Sequence, residues 1–199
     1  MREIADKFKR TISRVWNIIE KLTTVIENHQ HMFIKCPAPS QGPSIARNFA
    51  SIAGFPNVLG AIDGSHIRIK PPPNHKKECI NRKWCTSFNI LAVCLPNKQF
   101  SYTFVGFPGI AHDARVYRNS GLALQSNIDS MYPNDTYHII GDSAYRCLVN
   151  LMPAFKDSLA KTAEKEKYNK KLSKTRVIIE NAFVDLKNRW RDSISFQKK

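Results

Sequence analysis

Three acidic residues stand where the sequence otherwise predicts buried structure. Asp63 lies inside "VLGAIDGSHIRI", in which Ile67 and Ile69 alternate with polar residues as in a half-buried strand. Asp142 ends the short apolar segment "TYHIIGD", and Glu180 borders an apolar helical stripe in "TRVIIENAFVDLKNRW". An ionised carboxylate is costly to bury unless it is paired, hydrogen-bonded or bound to a metal. At Asp63 the alternative is a turn, since Asp-Gly is a common turn dipeptide.

Clustered carboxylates favour one kind of chemistry. They repel each other unless cations neutralise them, and Mg²⁺ prefers such oxygen ligands. Two ions roughly 3.5–4 Å apart can activate the attacking oxygen and stabilise the leaving oxygen in phosphodiester cleavage. The alternative for Glu180 is a simple helix pair with Arg176, four residues earlier.

The net charge indicates a polyanionic partner. The chain has 31 Lys and Arg against 16 Asp and Glu, giving +15 and a pI near 9.8. Nucleic acid is the commonest partner of so basic a protein, and its binding would weaken steeply with salt. Charge that serves solubility alone is the alternative. No apolar run approaches the ~20 residues of a membrane span, and a secretory signal is absent from the N-terminus, so we expect a soluble, intracellular protein.

Residues 1–28 form a predicted helix pair with a break at "KRT". Ala5 and Val15 lie ten positions apart, as the packed positions of a helix-turn-helix require. In that interpretation "TISRVWNI" is the recognition helix, and Ser13 and Arg14 are candidates for contact with DNA. Any pair of packed amphipathic helices is the alternative.

The remaining elements predict an α/β domain. Residues 29–53 are predicted as a linker and a short helix, and residues 54–199 as the main domain. The latter contains a strand, a hairpin, a helix near Asp113, a fourth strand ending at Asp142, and a basic helical region over 147–199. By analogy, this order matches a ribonuclease-H-like mixed sheet flanked by helices. The first and fourth strands are neighbours there, so their aspartates could converge with Glu180.

Several sequence blocks together resemble the Harbinger-type (PIF/Harbinger) transposases and the nuclease-like proteins domesticated from them. The blocks cover roughly residues 54–190 and occur in the family's order. They are "GFPNVLGAIDGSHIRI", "NRKWCTSFNILAVC", "GIAHDARVYRNS", "HIIGDSAYRCLVNLMPAF" and "YNKKLSKTRVIIENAFVDLKNRW".

The resemblance implies a DDE-type nuclease domain that cleaves DNA with two divalent metal ions, either Mg²⁺ or Mn²⁺. By that resemblance Asp63, Asp142 and Glu180 are the catalytic, metal-binding triad. Asp113 also falls on a family motif, as a further candidate ligand or a helix cap. We expect a nuclear protein, with the cytoplasm as a second location, that binds DNA and has a second DNA-binding protein as a candidate partner.

Basic residues of the last helix are predicted to hold the DNA backbone, namely Lys187, Arg189 and Arg191. The sequence also departs from the family pattern at Ile110 and Arg146. We expect a fragment or a decayed copy, because family members extend at both ends. A catalytically silent DNA-binding or protein-interaction module is therefore the alternative function.

Overall fold

A five-stranded mixed sheet forms the centre of the molecule. The computed structural model describes residues 1–69, 79–81, 84–123, 136–159 and 161–190. The sheet has the order β3-β2-β1-β4-β5. Its strands are β1 (Val58–Arg68), β2 (Ser87–Cys94), β3 (Phe100–Pro108), β4 (His138–Gly141) and β5 (Leu151–Pro153). The predicted fold class, a mixed α/β sheet consistent with a ribonuclease-H-like fold, is confirmed.

Strand β1 is the central strand of the sheet, with two strands on each side. It runs antiparallel to β2 and parallel to β4, and the parallel register sets Ala61 opposite Ile140. The predicted hairpin is the antiparallel pair β2 and β3, with Lys98 in a left-handed conformation in its turn. The first and fourth strands are therefore neighbours, as the element order predicted.

Three helices cover the two faces of the sheet: α4 (Gly42–Ala53), α5 (Asp113–Asn119) and α6 (Ala163–Arg189). Helices α4 and α6 pack on β1 and on each other, whereas α5 packs on β2. Successive side chains of a strand point to opposite faces. Since Asp63 contacts α6 and Gly64 lies against α5, these two helices lie on opposite faces.

The N-terminal helices are α1 (Arg2–Lys7), α2 (Ile12–Asn28) and α3 (Gln30–Phe33). Ala5 and Val15 are buried, and Lys9 has a left-handed conformation in the turn between α1 and α2. Ser13 and Arg14 are exposed in the first turn of α2, whose helix-turn-helix role stays a prediction. Neither α2 nor another helix in the described ranges has the length and apolarity of a membrane span.

The prediction of a helical region over 147–199 is wrong for residues 147–159, which contain β5 and turns but no helix. Residues Leu151–Pro153 form β5, which pairs in parallel with β4 and buries Leu151. Their backbone groups are therefore bonded to the sheet and not within a helix. Helix α6 begins at Ala163, where the Thr162 side chain accepts a hydrogen bond from the Lys165 amide. The three-residue strand is too short to produce a period in the sequence.

Candidate active site

Asp63 lies within β1 with both carboxylate oxygens hydrogen-bonded. Oδ1 accepts a hydrogen bond from the Gly64 amide at 2.9 Å, and Oδ2 accepts one from Nη1 of Arg176 at 2.9 Å. The side chain is 17% exposed, so water screens this ion pair only weakly. The sequence prediction that Asp63 belongs to a strand rather than to a turn is confirmed.

Arg176 also holds Glu180. Its Nη2 lies 2.5 Å from Oε1 of Glu180, one helical turn further along α6. The helix pair considered as an alternative is therefore present, and the same guanidinium reaches Asp63 as well. Asp63 and Glu180 accordingly lie on the same face of the sheet, joined through one cation.

Asp142 directly follows β4. It stands two residues after Ile140, whose partner in the parallel register is Ala61, two residues before Asp63. Its Oδ1 accepts a hydrogen bond from the Ala144 amide at 2.9 Å, which turns the chain away from the sheet. Asp142 lines a cavity of about 480 Å³ together with Asp113.

Asp113 is the first residue of α5, and a buried asparagine fixes its position. Nδ2 of Asn89 donates a hydrogen bond to Oδ1 of Asp113 at 2.8 Å. Asn89 is fully buried in β2, and its own Oδ1 has no hydrogen-bond partner among the described residues. Sequence reasoning missed Asn89, although a polar residue within the apolar run "SFNILAVC" was a usable signal.

The acids influence one another electrostatically. Burial raises the pKa of Asp63 to about 6, and the charges of Asp142 and Asp113 add to the rise, while Arg176 and the Gly64 amide oppose it. Burial also raises the pKa of Tyr145, again with contributions from the three aspartates. In the part of the chain that the structure describes, its buried hydroxyl has no hydrogen-bond partner. Asp63, Asp113 and Asp142 therefore form one electrostatic cluster.

Gly64 lets the Asp113 carboxylate lie directly on β1. A Cβ at this position would overlap that carboxylate, whereas a Cβ at Gly42 would make only ordinary contacts. We expect Gly64→Ala to lower the free energy of unfolding by about 1–3 kcal/mol through overpacking. Gly42→Ala, in a helix, should be neutral or slightly stabilising. Urea denaturation of both variants checks the difference, and equal midpoints would contradict the close packing at Gly64.

The predicted DNA-binding residues of α6 differ in their surroundings. Nζ of Lys187 donates a hydrogen bond to the Ser65 hydroxyl at 2.6 Å, two residues along β1 from Asp63. Arg189 is exposed near the end of α6. Arg191 lies outside the described residues.

The carboxylates offer suitable oxygen ligands for a hard divalent ion. Within the described ranges, no three acidic, histidine or cysteine side chains already form a group that could hold a metal. Asp63 is engaged by Arg176, and Asp113 by Asn89. The donor chemistry fits such an ion, and the contact between Asp63 and Arg176 has to open before an ion can share this carboxylate.

Comparison with known proteins gives the lineage. The chain is 28% identical over 174 residues to the rat and human proteins named "Putative nuclease HARBI1", covering 87% of this chain. It is 27% identical over 197 residues to "Protein ALP1-like" of Arabidopsis thaliana, covering 91% of this chain. The chain spans about half the length of these relatives, 48% and 46% respectively. No solved structure is significantly similar.

The family model described as "DDE superfamily endonuclease" matches residues 62–194. Its matched range begins beside Asp63 and includes Asp113, Asp142 and Glu180. The HARBI1 and ALP1-like relatives are derived from Harbinger transposases, as the sequence blocks predicted. The chain therefore belongs to the DDE superfamily endonucleases, in their Harbinger transposase-derived lineage.

Proposed function

We propose that this chain is a metal-dependent DNA endonuclease domain with a two-ion site. Family membership supports a nuclease-type domain, and members of the family generally use divalent ions. The observation that carries the proposal is the placement of three acids: Asp63 lies on β1, Asp142 follows the neighbouring strand β4, and the Asp113 carboxylate lies against Gly64 of β1. A nuclease needs concentrated negative charge of this kind to hold Mg²⁺ or Mn²⁺ beside a phosphodiester.

Each acid has a distinct part in this proposal. Asp63 and Asp142 would hold the ions, Glu180 would complete the second ion site, and Asp113 would support these acids from α5. When bound, such ions activate the attacking oxygen and stabilise the leaving oxygen. Because the pKa of Asp63 is raised to about 6, its carboxylate is mainly anionic only above that pH. Ion binding should accordingly weaken below pH 6.

DNA is the proposed partner of the domain. The net charge of +15 favours a polyanion, and Lys187 of α6 contacts Ser65, which lies two residues along β1 from Asp63. From there its ammonium group would hold a phosphate on the side of β1 that carries Asp63. Arg189 and Arg191 would extend this contact, and Ser13 and Arg14 of α2 would contact DNA separately. A nuclear location follows from a DNA substrate. A second DNA-binding protein is a further proposed partner.

Nicking of supercoiled plasmid tests the enzymatic proposal. We expect nicking with Mg²⁺ or Mn²⁺ and none with chelator. Loss of a residue that only supports a metal ligand costs up to about 100-fold in activity. Asp142→Asn alters a proposed ligand itself, so it should reduce the nicking rate by at least about 100-fold. Asp157→Asn is the matched control, since it removes one exposed carboxylate. Equal nicking by parent and Asp142→Asn would contradict the assignment of Asp142.

A catalytically silent DNA-binding or protein-interaction module is the second candidate. The observation in its favour is Arg176, whose guanidinium pairs with both Asp63 and Glu180 without any ion. A silent module would bind DNA equally well with metal and with chelator. It would leave the plasmid intact under both conditions.

A further inference from the structure

Arg176 lies between the carboxylates of Asp63 and Glu180 and contacts both. Its Nη1 donates to Asp63 on β1, and its Nη2 contacts Glu180 on α6. The two carboxylates are 117 residues apart in the chain, and one planar guanidinium spans them. A guanidinium is suited to this arrangement because its donors have a fixed geometry and its charge is permanent.

The ion pair between Arg176 and Asp63 is largely buried. The Arg176 and Asp63 side chains are 18% and 17% exposed, whereas Glu180 is 48% exposed. Weak screening strengthens the contact with Asp63, and breaking it leaves a charge inside the protein that needs another partner. The cation of Arg176 and a divalent ion would compete for the same negative charge.

We infer that Arg176 is an internal cation that holds Asp63 and Glu180 in the ion-free state and is displaced from Asp63 when a divalent ion binds. This inference rests on the proposed ion site. Arg176 thereby lowers the apparent ion affinity and keeps the acids together before the ion arrives. It is a positioning residue, with no part in bond breaking assigned to it.

Removing the guanidinium should tighten ion binding. We expect Arg176→Met to lower the Kd for Mn²⁺ about tenfold, which corresponds to about 1.4 kcal/mol. Arg176→Lys keeps one charge but loses the fork that reaches two carboxylates, so its Kd should fall between those of the parent and Arg176→Met. It also serves as the second variant should Arg176→Met fold poorly.

The control is Lys174→Met, which removes one exposed positive charge two residues earlier on α6. Its Kd for Mn²⁺ should stay within about twofold of the parent, as expected for a solvent-screened surface charge. A similar gain in Lys174→Met and Arg176→Met would mean that overall charge, rather than competition at Asp63, sets the affinity. That result would overturn the inference.

Titration calorimetry of the full chain with MnCl₂ alone provides the measurement. The variant Asp63→Asn tests the proposed ion site separately from the competition by Arg176. If Asp63→Asn abolishes binding but Arg176→Met does not tighten it, the ion site stands and the competition is refuted. If Asp63→Asn binds Mn²⁺ like the parent, the ion site itself is refuted, together with the inference. Binding by Arg176→Met where the parent shows none supports the competition most strongly. Absence of binding in every variant overturns both claims.

Discussion

Phe49→Ala is expected to lower the free energy of unfolding by about 3–5 kcal/mol, as complete loss of a buried aromatic side chain does. Phe49 lies on α4, has no exposed surface and belongs to the core cluster beneath β1. For a chain of this size the melting temperature should fall by roughly 10 °C. The effect is large because α4 packs on both β1 and α6, so the cavity would form where two helices meet the sheet.

Ile52→Ala supplies the matched control for this result. Ile52 lies on the same helix but is 43% exposed, so its truncation should cost much less than that of Phe49. Residues 29–53 were predicted to be a linker with a short helix. Parallel melting curves for the two variants would show whether this helix is integral to the domain, and a Phe49→Ala curve coincident with the parent would mean that it is not.

In the presence of chelator, the free energy of unfolding of Asp63→Asn is expected to rise relative to that of the parent as the pH increases from 4 to 6. The pKa of Asp63 is raised from 3.8 to about 6, because burial outweighs the help of Arg176. Below pH 4 the carboxyl is protonated in both folded and unfolded chains and contributes nothing. Between pH 4 and 6 the unfolded chain ionises first, so the parent loses stability. At roughly 1.4 kcal/mol per pKa unit, the loss approaches about 3 kcal/mol.

The difference between the two proteins isolates this contribution from other titrating groups. It should grow from pH 4 to 6 and stay constant above pH 6. Asp157→Asn, which alters an exposed carboxylate, provides the control for simple charge removal. Urea denaturation at several pH values measures the difference. A difference that does not change with pH would refute the raised pKa of Asp63.

Local patterns predicted the positions of the two strand-associated aspartates. Period-two alternation assigned Asp63 to a strand, and the order of elements made the first and fourth strands neighbours, beside which Asp142 lies. The link between Arg176 and Glu180 was predictable because four residues separate partners on one face of a helix. The strand assignment and the helix pair depend on sequence spacing alone, whereas the neighbouring strands were predicted by analogy with a ribonuclease-H-like sheet.

Contacts between distant parts of the chain were not predictable in this way. Arg176 and Asp63 are 113 residues apart, and their contact depends on how α6 lies across β1. The apolar stripe predicted in "TRVIIENAFVDLKNRW" is not buried up to its last residue, since Trp190 follows the end of α6 and is 55% exposed. Packing between elements decides such features, and no local period encodes them.

Thermal melting of the parent and Asp142→Asn, with Mn²⁺ and with chelator, tests the proposed ion site most directly. Mn²⁺ at about 100 times its Kd should stabilise the parent by about 2.7 kcal/mol, or roughly 5–10 °C. In chelator Asp142→Asn should be no less stable than the parent, because the substitution relieves repulsion and its amide oxygen can still accept the Ala144 hydrogen bond. It should gain nothing from Mn²⁺. An Asp142→Asn protein that Mn²⁺ stabilises as much as the parent, or a parent that Mn²⁺ leaves unchanged, would contradict an ion site at these acids.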